Sequence, residues 1–141
     1  MTKRDQNRTL IVEALSDQVN QRIVSFDVPG HKQGKGNPLL RDFLGDKAIQ
    51  YDLNSRKPLD YLCSPTGVIL EAEEIATEAF GAGHAFFIVG GTTAAVQTMV
   101  MSACKQGDKI ILPRNVHRSA INALILTGAI PIYVNPGIDE K

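Results

Sequence analysis

Hydrophobic residues recur every three or four positions in several stretches of the chain, which is the spacing of one face of an α-helix. The pattern predicts helices over residues 8–24, 38–44, 68–80 and 116–127, and another from Thr93 towards Gly107. Glycines directly after three of these stretches, Gly81, Gly107 and Gly128, are typical helix stops. Residues 27–38 and 45–66 lack such periodicity and are predicted to be loops. The glutamates of 68–80 are predicted to form the solvated face of that helix.

Three short apolar runs have the length of buried strands: residues 85–89, 109–112 and 130–134. Because these runs alternate with helices through short glycine-rich joints, the second half predicts an α/β fold with a parallel sheet. Parallel sheets bury both faces and usually contain more than three strands. We therefore expect part of a larger domain, with a helix and loop arm over 1–66 and a partial α/β domain over 67–141.

The amino-acid composition argues against several classes of partner. Fifteen basic and fifteen acidic side chains give a formal charge of zero, so neither nucleic acid nor an anionic membrane is an expected partner. No apolar run reaches the roughly 18 residues that span a bilayer. The two cysteines, Cys63 and Cys104, have no zinc-site spacing, and no metal site is predicted. The expected compartment is a reducing cytoplasm.

The first candidate ligand-binding site is the joint Gly90-Gly91-Thr92-Thr93. Ligands of open parallel sheets bind beyond the carboxyl ends of the strands, and this joint follows the first predicted strand. Glycines let a ligand approach the backbone, and the free N–H groups of a helix N-terminus attract an anion such as phosphate. A threonine that simply caps the helix fits the same residues.

The next strand leads to a second joint, residues 113–119, which carries His117 at a helix entrance. This joint should neighbour the first, so a neutral His117 ring could stack on an aromatic ligand held there. A helix-capping histidine is the alternative. The loop Pro29–Gly36 is rich in glycine and lysine and could hold an anion, or could be an ordinary solvated loop.

Several motifs together resemble one family: VPGHKQG, LDYLCSPTGVILEAEEIATEAFGA, FFIVGGTTAAVQ and GDKIILPRNVHRSAINALILTGAIPIYV. In this order they resemble the N-terminal part of the major domain of the Orn/Lys/Arg decarboxylases, enzymes of the aspartate aminotransferase-like fold that depend on pyridoxal phosphate (PLP). The resemblance implies a decarboxylase of ornithine, lysine or arginine that is a dimer or larger homo-oligomer.

The resemblance also implies residue roles. Gly91, Thr92 and Thr93 would bind the PLP phosphate, and His117 would stack on the pyridine ring as a catalytic and cofactor-binding residue. His31 and Lys32 would belong to an active-site or interface loop.

The sequence departs from the family pattern at several points. Ala94 stands where the family often has another hydroxyl residue, and Asp27 where it usually has histidine. None of the eight lysines matches the family's PLP-binding lysine, which is expected beyond Lys141. The 141-residue chain alone is therefore predicted to be inactive.

Three alternatives remain open at this point. The parent could be an aminotransferase-type PLP enzyme of the same superfamily. The chain could be a non-catalytic fragment that pairs with a full-length subunit. The threonine turn could bind a nucleotide phosphate without PLP.

Overall fold

A computed structural model describes residues 4–21 and 23–137, which form two compact units divided between Phe87 and Ile88. Position 22 of the predicted first helix and positions 138–141 of the predicted α/β domain lie outside the described residues. The predicted domain boundary at 66/67 differs from this division into units. The predicted boundary marks where the α/β domain would begin in sequence, whereas the two units are defined by contacts. The boundary stays a prediction.

The first unit is helical. Its elements are helices α1 (Leu10–Asn20), α2 (Pro38–Leu44), α3 (Asp46–Tyr51) and α4 (Val68–Phe80), with a 3₁₀ turn at Lys57–Leu59. Helix α1 packs against α3, α4 and the 3₁₀ turn. Three helices were thus predicted, two of them with the observed bounds of 38–44 and 68–80. The observed α1 is shorter than the predicted 8–24.

The prediction of an irregular segment over 45–66 is wrong for residues 46–51, which form α3. Gly45, with φ of +82°, ends α2 and directly precedes α3, so two short helices meet without a longer loop. Ile49 on α3 is fully buried. One buried isoleucine is too little periodicity to predict a helix of six residues, but its burial stabilises the helix in the folded chain.

The second unit carries the α/β pattern: helix α5 (Gly91–Ala103), strand β1 (Lys109–Pro113), helix α6 (Arg118–Thr127) and strand β2 (Ile130–Val134). The two strands pair in parallel, in a register that runs from Lys109 opposite Ile130 to Pro113 opposite Val134. Gly128 has φ of +70° and ends α6, as its position in the sequence predicts. The α/β class is therefore confirmed.

The first predicted strand, residues 85–89, is not formed among the described residues. A strand requires a hydrogen-bonded neighbour, and the Phe87 N–H instead donates to Oε1 of Glu73 at 2.8 Å. Glu73 is buried, which corrects the prediction that the glutamates of α4 all lie on its solvated face. Glu74 and Glu78 lie on the surface and pair with Arg4.

Small side chains hold the second unit together. Ala120, Ala123 and Leu124 of α6 are buried, and α6 packs against α5. Alanine allows two helix backbones to approach closely, so α6 packs against α5 mainly through small buried side chains. On the sheet, by contrast, Ile111 is 73% exposed, so this part of the strand surface is left uncovered by the described residues.

Candidate cofactor site

The N-terminus of α5 is formed by glycines that leave its backbone accessible. Gly90 is the N-cap and Gly91, with φ of +74°, begins the helix. A Cβ built on Gly91 would have no heavy atom within 4 Å, so a ligand can approach the backbone here. Residues 90–93 are all exposed. This arrangement is suited to an anion that binds backbone N–H groups.

No side chain caps α5 among the described residues, and its first turn has no acidic residue. Thr92 and Thr93 therefore do not act as N-caps, the ordinary role that the sequence also allowed. Their hydroxyls lie in the first helical turn, where unpaired N–H groups and the helix dipole favour a negative charge. The residues present fit a phosphate group.

Ala94 fits closely against the start of the same helix. A Cβ built on Gly90 would lie only 2.7 Å from the Cβ of Ala94, a distance that real side chains do not tolerate. Gly90 is therefore required by packing against Ala94. The methyl group of Ala94 provides no hydroxyl, so any phosphate contact the family makes from this position is lost here.

His117 is the N-cap of α6, and its ring takes part in the cap. Its Nδ1 accepts a hydrogen bond from the Ser119 backbone N–H at 3.2 Å and lies 2.9 Å from the Ser119 hydroxyl. Accepting from a backbone N–H requires a lone pair on Nδ1, so the ring is a neutral tautomer with its proton on Nε2. The residue is exposed. The capping role that the sequence left as the alternative for His117 is observed, and the ring stays exposed.

Both predicted parts of the site belong to the second unit. The Gly90–Thr93 turn begins α5, His117 begins α6, and these two helices pack together. The roles of Gly91, Thr92, Thr93 and His117 toward a cofactor stay predictions.

His31 and Lys32 lie in the first unit, in a loop with an unusual backbone. Lys32, Gln33 and Gly34 have φ of 49°, 56° and 90°, three left-handed residues in succession. The His31 side chain is 9% exposed, and its Nε2 lies 3.0 Å from Oδ2 of Asp52. Its buried Nδ1 has no hydrogen-bond partner among the described residues. The loop is therefore ordered by specific contacts and is not a simple solvated loop.

Asp27, the departure from the family pattern, helps to fix this loop. Its backbone oxygen accepts from the Lys32 ammonium, and its carboxylate pairs with Arg56 through Nε at 2.9 Å and Nη2 at 2.8 Å. The Ser25 hydroxyl, followed by Arg56, holds the pKa of Asp27 below its ordinary value. A histidine here could not form this two-pronged pair with Arg56.

Asp60 is a buried polar residue that the sequence did not single out. Its carboxylate accepts from the backbone N–H groups of Tyr61 (2.8 Å), Thr66 (3.0 Å), Gly67 (2.8 Å) and Ile69 (3.1 Å). Burial alone would raise its pKa, but these four donors outweigh burial and lower it to about 2. The aspartate thus caps α4 from seven residues before Gly67, too far away for a local capping motif to reveal it.

Within residues 4–21 and 23–137, no helix combines the length and the apolar character that a membrane crossing requires. The same residues contain no cluster of three or more histidine, cysteine or acidic side chains placed to bind a metal ion.

Sequence comparison gives a family match over nearly the whole chain. The family model for the major domain of Orn/Lys/Arg decarboxylase matches residues 9–141. An arginine decarboxylase of Bacillus subtilis (strain 168) is 46% identical over 137 residues, which are 96% of this chain and 28% of that protein. A lysine decarboxylase of Pseudomonas aeruginosa is 34% identical over 90% of this chain and 18% of the relative.

Solved structures agree with the sequence match. Lysine decarboxylase A from Pseudomonas aeruginosa superposes with a TM-score of 0.79 at 33% identity, covering 89% of this chain and 18% of that structure. The constitutive lysine decarboxylase of Escherichia coli also gives 0.79, at 29% identity, over 90% of this chain and 19% of that structure. The chain spans less than a third of the length of these relatives.

Proposed function

This chain belongs to the Orn/Lys/Arg decarboxylase family, and we propose that it forms the N-terminal part of a PLP-dependent decarboxylase of arginine, lysine or ornithine. The reaction would release CO2 from the basic amino acid and leave the corresponding amine. A decarboxylase family match favours this reaction over an aminotransferase. One relative is named for arginine and another for lysine. An experiment must therefore identify which of the three amino acids is the substrate.

The observation that carries the proposal is the uncapped N-terminus of α5. In the proposed site, the backbone N–H groups from Gly91 and the hydroxyls of Thr92 and Thr93 hold the PLP phosphate. Charge-assisted hydrogen bonds of this kind are about twice as strong as neutral ones, and the helix dipole adds to them. Because all of these donors belong to one helix turn, they fix the orientation as well as the position of the phosphate.

His117 would orient the cofactor ring. Its capping bond to Ser119 fixes the imidazole and its tautomer, so a neutral flat ring is offered for stacking. When bound, PLP supplies an electron sink for the electrons released as CO2 leaves. In that chemistry, this chain would bind PLP and orient its ring.

We propose that the chain alone binds PLP but does not turn over substrate. PLP chemistry uses a lysine that attaches the cofactor covalently, and the eight lysines here match no such family motif. Activity would then need further segments of the family domain, and the complete enzyme would be a cytoplasmic homo-oligomer. Pull-down of a full-length family decarboxylase by this chain would reveal the pairing that a non-catalytic fragment could make instead.

The test is PLP binding by the double variant Thr92→Ala/Thr93→Ala. Loss of charge-assisted hydrogen bonds should weaken PLP binding at least about tenfold, measured by PLP absorbance and fluorescence. Thr98→Ala, an exposed threonine further along α5, is the matched control and should bind as the parent chain does. Equal affinity in all three chains would overturn the proposal.

Two further measurements separate the alternatives. ATP should not compete with PLP if the turn is specific for the cofactor, whereas a nucleotide site would show competition. CO2 release from arginine, lysine and ornithine should be absent with the chain alone, and robust turnover would contradict its proposed inactivity.

A further inference from the structure

A polar pocket lies in the first unit, beside the 3₁₀ turn. Its volume is about 320 Å³, and we name it the 55–66 pocket after its lining residues, 55–57, Asp60, Tyr61, Ser64 and Thr66. None of these residues belongs to the proposed PLP site. The size suits a small polar group.

Two adjacent cations border the 55–66 pocket. Arg56 is held in place by Asp27, and its Nη2 also donates to the Ser25 hydroxyl at 3.0 Å. Within the part of the chain that the structure describes, its Nη1 has no hydrogen-bond partner and Lys57 has no carboxylate within 4 Å. One cation is therefore pre-positioned, and the other has no carboxylate partner among the described residues.

The acidic group of the pocket, Asp60, is engaged by backbone donors and turns no free oxygen to a ligand. Its oxygens accept four backbone N–H groups, which stabilise the ionised carboxylate and occupy its acceptor sites. The Ser64 and Thr66 hydroxyls donate to no acceptor among the described residues. Hydrogen bonding with Cys63 raises the pKa of Tyr61. Donors thus outnumber free acceptors in this pocket.

We propose that the 55–66 pocket binds the phosphate or carboxylate group of a small anionic ligand. Lys57 and the Nη1 of Arg56 provide the charge, and the Ser64 and Thr66 hydroxyls provide the directional hydrogen bonds. The fixed guanidinium loses little freedom on binding, because Asp27 already orders it. The pocket is independent of PLP and of the decarboxylase proposal.

The test is an NMR titration of the ¹⁵N-labelled full chain with inorganic phosphate and, in a separate arm, with acetate. Saturable shifts of the Ser64 and Thr66 amides are expected in at least one arm, and the responding arm identifies the anion class. Shifts at residues 91–93 report the proposed PLP site separately, and the Thr92→Ala/Thr93→Ala chain should retain the Ser64 response.

Lys57→Gln should lower the anion affinity measured at the Ser64 amide about tenfold. This is the contribution of one charge-assisted hydrogen bond. Lys47→Gln, at an exposed lysine of α3, is the matched control and should leave it unchanged. Ser64→Ala provides a second variant that keeps all charges and should also weaken binding. Absence of saturable shifts in both arms, or an equal effect of the two lysine variants, would refute anion binding at the 55–66 pocket.

Discussion

Two helices of this protein begin in opposite ways. At the start of α4, Asp60 accepts the backbone N–H groups of Thr66, Gly67 and Ile69. At the start of α5, no described side chain caps the helix and Gly90 and Gly91 expose its backbone. Each helix end has the same need for hydrogen-bond acceptors.

Under the proposed function, the difference separates a structural helix end from a binding one. An internal carboxylate at α4 satisfies the donors permanently and fixes the preceding turn. An uncapped end at α5 leaves its donors to solvent or to an anionic ligand, at a cost in helix stability that binding would offset. Variants that remove the acceptor at α4, or alter the glycines at α5, test this contrast directly.

The largest effect is expected from Asp60→Ala. Removing the carboxylate leaves the donors at the start of α4 without their acceptor, and the free energy of unfolding should fall by about 2 kcal/mol. Urea unfolding followed by circular dichroism measures the change. Asp60→Asn keeps one acceptor oxygen and should lose about half as much. A loss below about 0.5 kcal/mol in Asp60→Ala would show that solvent caps α4 equally well.

The contribution of Asp60 should also depend on pH. Its pKa is about 2 in the folded chain, below its ordinary value of 3.8, so folding favours the ionised form. The stabilisation is therefore complete above about pH 4 and is lost as the pH falls toward 2. The difference in urea midpoint between the parent chain and Asp60→Asn isolates this group. A difference that stayed constant from pH 7 to pH 2 would contradict the assignment.

A smaller effect is expected at the start of α5 from Gly90→Ala. The added Cβ would lie 2.7 Å from the Cβ of Ala94, so the helix start must shift, at a cost of about 1 kcal/mol. Gly83→Ala is the matched control, since its Cβ would meet nothing within 4 Å. The shifted turn should also bind PLP more weakly. Unchanged stability and PLP binding would mean that the turn is adaptable and that Gly90 is not required.

Sequence periodicity predicts the regular elements well where they are long or strongly apolar. Helix α4 and strand β2 have the predicted bounds because their patterns are dense and their ends are marked. Residues 85–89 fail because strand formation depends on a neighbour, and their Phe87 N–H binds Glu73 instead. A pairing partner is a tertiary property that one apolar run does not contain.

The candidate site likewise combines features that are local in sequence with features that depend on the fold. The GGTT turn and His117 are visible in the sequence because glycine and capping chemistry are local. The cap by Asp60 joins residues up to nine positions apart, and the pair between Asp27 and Arg56 joins residues 29 apart. Contacts of such separation follow from the fold, so no short motif predicts them.

The smallest effect on stability, and the sharpest test of function, is expected at His117. Its Nδ1 caps α6, so His117→Ala should lower the free energy of unfolding by about 0.5–1 kcal/mol. Asparagine is a good N-cap and has no aromatic ring, so His117→Asn should restore stability to within a few tenths of a kcal/mol. If His117 also stacks on PLP, both variants should bind PLP more weakly than the parent chain. Recovery of PLP affinity together with stability in His117→Asn would show that His117 is only a cap.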